Sequence, residues 1–348
     1  EFWRLLAEPN PLFERMIRNG VPMPEFVYPR RPGRFATETT GIPALSLMVL
    51  PHLTDDPDGL FDELEGEVCR WPERTAAGHY EALFDLLGAR FGRTVAVERS
   101  GYSLDRVPLL RKVFPEARFV HLFRDGPDCA LSMSRHTGYR LIFLLREILS
   151  RTGAERVEHL TEEQVRSLPP ELAPLLGERF DPALVLDSDL PLTGFGALWS
   201  ELITQGVDRL GEVPAPLRTT LGYEDLLDDP RAELTRLADF IGVEPLPQWL
   251  DTGAARLDGS RRGSSLRLPA AELAVLRGRC APGARGRAGR RRADDRGDRA
   301  CVPGAGVDDG AADQPGEAAD QSLGRAVRDA RSARSRGAAR RRSARAVS

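Results

Sequence analysis

Residues 118–136 read RFVHLFRDGPDCALSMSRH and place a guanidinium, Arg124, and a hydroxyl, Ser132, eight positions apart. Phe119–Phe123 is a short apolar run of the kind that forms a buried strand. An apolar-periodic helix follows Arg124-Asp125-Gly126-Pro127. Pro127 suits the first helical position, where its missing N–H costs nothing. Asp128 suits the first turn, where the helix dipole favours an acid. Arg124 is therefore expected at a strand end beside a helix N-terminus, with Ser132 on the second turn of that helix. A fixed cation, a hydroxyl and a positive helix end suit a phosphate dianion. A strand–turn–helix with an Arg at its turn also serves as a plain structural unit, and this segment alone does not separate the two.

Other stretches carry chemistry of the same kind. Tyr223, in Leu221-Gly222-Tyr223-Glu224-Asp225-Leu226, follows a strand-like run; an aromatic there can lie on a purine face and offer a hydroxyl, or pack in the core. Ser260-Arg261-Arg262-Gly263 joins two cations to a glycine that permits close backbone approach to an anion. Val97-Glu98-Arg99-Ser100-Gly101 closes another strand with a carboxylate and a cation, which could also form a structural ion pair. Among the five histidines, His52 precedes a helix start and is a minor candidate base. His121 alternates within a strand and reads as packing, and His136 stands near a helix bend, where it could cap carbonyls.

Taken in order, these segments resemble PAPS-dependent sulfotransferases of bacterial, actinomycete type (PAPS is 3′-phosphoadenosine 5′-phosphosulfate). The resemblance is strongest over 95–140 and 218–243. It implies a sulfuryl transfer from PAPS to a hydroxyl or amine acceptor without a metal. By the same resemblance Arg124, Ser132, Arg261, Arg262 and Gly263 hold the 3′-phosphate and Tyr223 the adenosine. Arg99 would sit near the sulfuryl oxygens and Glu98 would act as general base, although the family's His and Lys are not present at that segment. The implied fold is α/β, a three-layer parallel sheet with helices on both faces, the P-loop-NTPase-like sulfotransferase fold. Neither Gly-Lys-Ser/Thr nor Pro-Arg-Ser-Gly-Thr occurs in the chain. With Glu1 in place of Met, the expectation is an N-terminally truncated fragment lacking the first strand and phosphate loop, with little activity.

The elements that must position these residues follow from periodicity. Strands are expected at Val95–Glu98, Phe119–Phe123 and Arg218–Gly222. Helices are expected at Ala76–Phe91, Leu104–Phe114, Leu131–Leu149, Phe195–Leu210 and Asp229–Ile241. Strand, helix, strand over 95–123 makes a βαβ unit with parallel neighbours. Residues 151–190, polar and Pro-spaced, are expected to be a variable insertion on the substrate side.

Composition sets the outer bounds. The 348 residues carry a net charge of −3, but residues 284–348 hold 16 Arg against 9 acids, +7, which leaves −10 on residues 1–283. An acidic body argues against a nucleic-acid surface on the folded part. The four cysteines form no Cys-x-x-Cys pair, which argues against a metal site or disulfide framework and fits a reducing cytoplasm. No run suffices for a membrane span. The sulfotransferase-like domain is expected over 1–283. Residues 284–348, without an aromatic and with one Leu, are expected to be a disordered tail. That tail reads either as a nucleic-acid-binding arm or, the reading favoured here, as a shifted reading frame in GC-rich DNA. An ATP-dependent phosphotransferase of related fold, with Asp125 as magnesium carboxylate, is the alternative enzyme, and a non-catalytic protein acting through the basic tail is the alternative class. The acceptor, whether small molecule, sugar or lipid, and the oligomeric state leave no trace in the sequence.

Overall fold

A computed structural model describes residues 1–298, apart from Pro32, Ser100 and Tyr102, together with residues 345–347. Among the described residues the chain is predominantly helical and carries one small sheet of four parallel strands. In spatial order these are β1 (Val97–Glu98), β4 (Arg345–Val347), β2 (Ala117–Phe123) and β3 (Arg218–Gly222). β1 and β2 are parallel, as the βαβ pattern predicts, but they are not neighbours. β4 pairs with both, Val97 opposite Ala346 and Arg118 opposite Ala346. Local periodicity could not reveal a strand drawn from the far end of the chain.

Two compact units partition the molecule: Glu1–Glu73 with Ala130–Phe195, and Arg74–Cys129 with Gly196–Ser348. In the first, helices Pro11–Arg18, Pro57–Val68 and Thr137–Thr152 supply much of the structure. Asp56 caps the second of these, accepting the Gly59 N–H at 2.9 Å. Met16, Leu141, Leu144 and Ile148 form a core with Leu168, Leu172, Leu175 and Val185. The 151–190 segment therefore contributes side chains to the core of this unit. Its leucines are spaced by polar residues because short helical turns bury one side chain at a time. His136 also differs from expectation. Its Nδ1 accepts the Gly138 N–H at 3.1 Å, so it caps the start of Thr137–Thr152 and breaks what periodicity suggested was one continuous helix.

The second unit holds the sheet. β2 alternates as a strand packed more heavily on one face should. Ala117 and Phe119 pack with Val107, Leu210 and Val213, whereas Val120 and Leu221 pack with Leu226, Leu234 and Leu250. Helix Pro230–Ile241 begins at Asp229, whose side chain accepts the Ala232 N–H at 3.1 Å, and ends at Gly242 with φ +86°. Helix Ala270–Asp298 runs through the composition break at 283, so 284–298, expected to be disordered, is helical. Ala and Arg are strong helix formers and sustain a helix without an apolar face. Arg345–Val347, also expected to be disordered, forms β4; the rest of the tail, including Cys301, and Ser100 of the Val97–Gly101 segment lie outside the described residues. Among the described residues Cys69, Cys129 and Cys280 are free thiols, and no helix is long and apolar enough to cross a membrane.

Candidate functional site

The β2–β3 register builds the site. Phe123 lies opposite Gly222 in a parallel pair, so the next residues of the two strands, Arg124 and Tyr223, emerge side by side. The Arg124 guanidinium carbon sits 4.9 Å from the centre of the Tyr223 ring. Such a half-buried cation–π contact contributes on the order of 1–2 kcal/mol. One step further on, the Asp125 N–H donates to Glu224 at 2.9 Å. C-terminal ends of adjacent parallel strands are where open α/β sheets present ligands.

A loop at 258–265 closes the arrangement. Arg124 Nη2 donates to the Arg261 carbonyl at 2.9 Å, and the Tyr223 hydroxyl donates to the Asp258 carbonyl at 2.5 Å. Gly263 has φ +66°, a backbone form that side chains resist. Its N–H and that of Ser265 donate to the two oxygens of Asp128, at 2.6 and 2.8 Å. Asp128 Oδ2 is also 3.9 Å from Arg124 Nη2. The Arg124 guanidinium is thus held by a ring, a carbonyl and a carboxylate, while its Nε is buried without a partner. Leaving such a donor unsatisfied costs about 1–3 kcal/mol, so the site holds an unused charge-bearing N–H.

Of the residues singled out from the sequence, Arg124, Tyr223, Arg261, Arg262 and Gly263 come together in the second unit. They do so with different roles. Arg261 contributes its carbonyl and leaves its side chain exposed, and Arg262 is turned into a two-pronged ion pair with Asp228. That pair holds the Asp228 carboxyl below the usual carboxylate range. Ser132 stands on helix Gly126–Arg135 as expected, in the portion of the chain that belongs to the first unit. Glu98 ends β1, with β4 between it and β2; by strand spacing that is roughly 10 Å from β2. Most of the Glu98 surface meets solvent, yet burial raises its carboxyl above the ordinary value, and Arg99 opposes the rise.

Asp125 serves as the helix cap: its Oδ1 accepts the Asp128 N–H at 3.2 Å. The residue is exposed overall, but desolvation of its carboxyl, together with nearby Asp128 and Glu224, pushes its titration upward. A cleft of about 720 Å³ lies beside it, lined by Phe123, Asp125, Trp199, Glu224, Arg277 and Cys280 among others. Arg124 and Tyr223 are not among its lining residues, so this cleft and the cation–ring cluster are separate features. Burial pushes the Cys280 thiol up to about 12 and the Cys129 thiol up to about 11, which keeps both protonated and unreactive at neutral pH.

Sequence reading gave Asp128 a dipole role and missed the loop it holds. A carboxylate four residues after Arg124 was the available signal, but its partners lie more than a hundred residues away. Comparison of this chain with protein-family models, with curated proteins and with solved structures finds no match.

Proposed function

We propose that this chain is a sulfotransferase-type protein whose Arg124–Tyr223–Gly263 cluster holds the ribose phosphate and base of PAPS or of its product, adenosine 3′,5′-bisphosphate. One observation carries the reading: the β2–β3 register sets a guanidinium with a free, buried N–H on the face of a tyrosine at the C-terminal end of a parallel sheet. A phosphate oxygen suits a guanidinium at this strand end, where it could pair with Nε once that atom is uncovered, and the ring offers a surface for a purine. Packing of separate apolar clusters against β2 supports the three-layer form of the fold. Glu98, its carboxyl raised by desolvation, is the proposed base for the acceptor hydroxyl or amine, and Arg99 the cation beside the developing charge. The sequence contains neither form of the phosphate loop. Losing even one such oxyanion donor costs about 3 kcal/mol of transition-state stabilisation, so nucleotide binding with weak transfer is expected.

Isothermal titration calorimetry tests this directly. Adenosine 3′,5′-bisphosphate is expected to bind at least tenfold more tightly than ATP, and Arg124→Ala to abolish the preference. Tighter binding of ATP would favour the phosphotransferase reading, in which Asp125 carries magnesium. Engagement of the Asp125 carboxylate as a helix cap supports the sulfotransferase reading over that one.

A further inference from the structure

We infer that Asp128 is a positioning residue: its carboxylate clamps the 258–265 loop against Arg124 and thereby sets selectivity for a phosphorylated ribose. The selectivity half of this inference rests on the function proposed above; the clamp rests on geometry alone. The Asp128 side chain is 4% exposed, and both its oxygens accept backbone N–H groups, from Gly263 and Ser265, on a turn whose glycine has φ +66°. Two backbone donors converging on one carboxylate is how a peptide nest grips an oxyanion. Here the oxyanion belongs to the protein. It is fixed at the start of helix Gly126–Arg135, four residues after Arg124. The loop that carries the Arg261 carbonyl and the Arg262 guanidinium is therefore tied to the same short segment that carries Arg124.

The clamp has a consequence for binding. The Arg124 guanidinium has one edge directed to the Arg261 carbonyl, while its Nε has no partner. With the loop fixed, the direction of that Nε–H is fixed too. Because Nε is buried, a phosphate must first uncover it, but the guanidinium it then meets is already oriented. With the loop released, Arg124 loses its carbonyl anchor and the phosphate loses that advantage, while a nucleotide lacking the 3′-phosphate loses little.

The test pairs two measurements on the full chain. In the first, amide hydrogen exchange is followed at Gly263 and Ser265 in wild type and in Asp128→Asn, which puts an N–H donor where an acceptor stood. Protection in wild type and at least tenfold faster exchange in the variant are expected. Fast exchange in wild type, or unchanged exchange in the variant, overturns the clamp. In the second, affinities for adenosine 3′,5′-bisphosphate and adenosine 5′-monophosphate are compared. Asp128→Asn is expected to weaken the bisphosphate about tenfold and the monophosphate less than twofold. Equal losses would mark Asp128 as merely structural, and tighter bisphosphate binding would mark it as a repelling charge; both overturn the selectivity. Gly263→Ala, which strains the turn from the loop side, is expected to reproduce both effects and guards against an Asp128 variant that fails to fold. Absence of bisphosphate binding by wild type would overturn the nucleotide reading and the selectivity that depends on it, while the exchange data still decide the clamp.

Discussion

Asp125 shows how one carboxylate can serve structure at an electrostatic cost. Its Oδ1 caps the helix, but desolvation raises its titration above the ordinary 3.8. A carboxyl raised on folding contributes stability that is present below the unfolded value and is lost as pH climbs through the folded one. At pH 7 the ionised group is therefore a burden on the folded state. Asp125→Asn keeps the capping oxygen and removes the charge. We expect its melting temperature to exceed that of wild type at pH 7, and the gap to shrink as pH falls toward 4. A lower melting temperature at pH 7 would mean that attraction to the helix dipole outweighs desolvation. The thiols are raised in the same sense, by burial. Cys129 and Cys280, raised to about 11 and 12, should remain unlabelled by a disulfide reagent at pH 8 while exposed Cys69 reacts.

At the scale of elements, the junction between β2 and helix Gly126–Arg135 depends on a missing side chain. A Cβ at Gly126 would lie 2.7 Å from the Trp199 ring and 2.9 Å from Cys280 Cβ. Trp199 is 3% exposed and Cys280 2%, so neither has room to yield. Gly126→Ala is expected to destabilise by about 1–3 kcal/mol, read from urea unfolding; a neutral effect would show that the tryptophan repacks. This junction was also the most legible part of the sequence. Strand, turn and helix over 117–135 follow from an apolar run, an Asp-Gly-Pro turn and a resumed 3.6 period, all of them local signals. The helix start at Asp229 was legible for the same reason. The break at His136 was legible only as a bend, because apolar spacing continues across it and a side-chain acceptor interrupts the helix. The ties from Gly263 and Ser265 to Asp128 were invisible because no pattern in either segment names the other. Arg262 shows a further limit: residue type suggested an anion, and Asp228 is the anion it meets.

For the whole molecule, the decisive fact is that the sheet draws on distant stretches. β3 pairs along its full length with β2, and β2 precedes it by about a hundred residues. Residues 196–348 alone carry β3 and β4 but not β2. That fragment is expected to show no cooperative melt by circular dichroism, whereas the full chain should; a cooperative transition in the fragment would remove the β2–β3 pair from the centre of this unit's stability. Long-range pairing of this kind also explains why the sequence disclosed β1, β2 and β3 singly but neither β4 nor the strand order.

The backbone passes from one compact unit to the other after residues 73, 129 and 195, so each unit is stitched from two separated stretches. No single protease cut can release either one whole. Nor can a single recombination breakpoint carry one unit into another gene and leave its companion behind. Exchange of these units between genes would need paired breakpoints, and the simplest inheritance of this protein is as an undivided block.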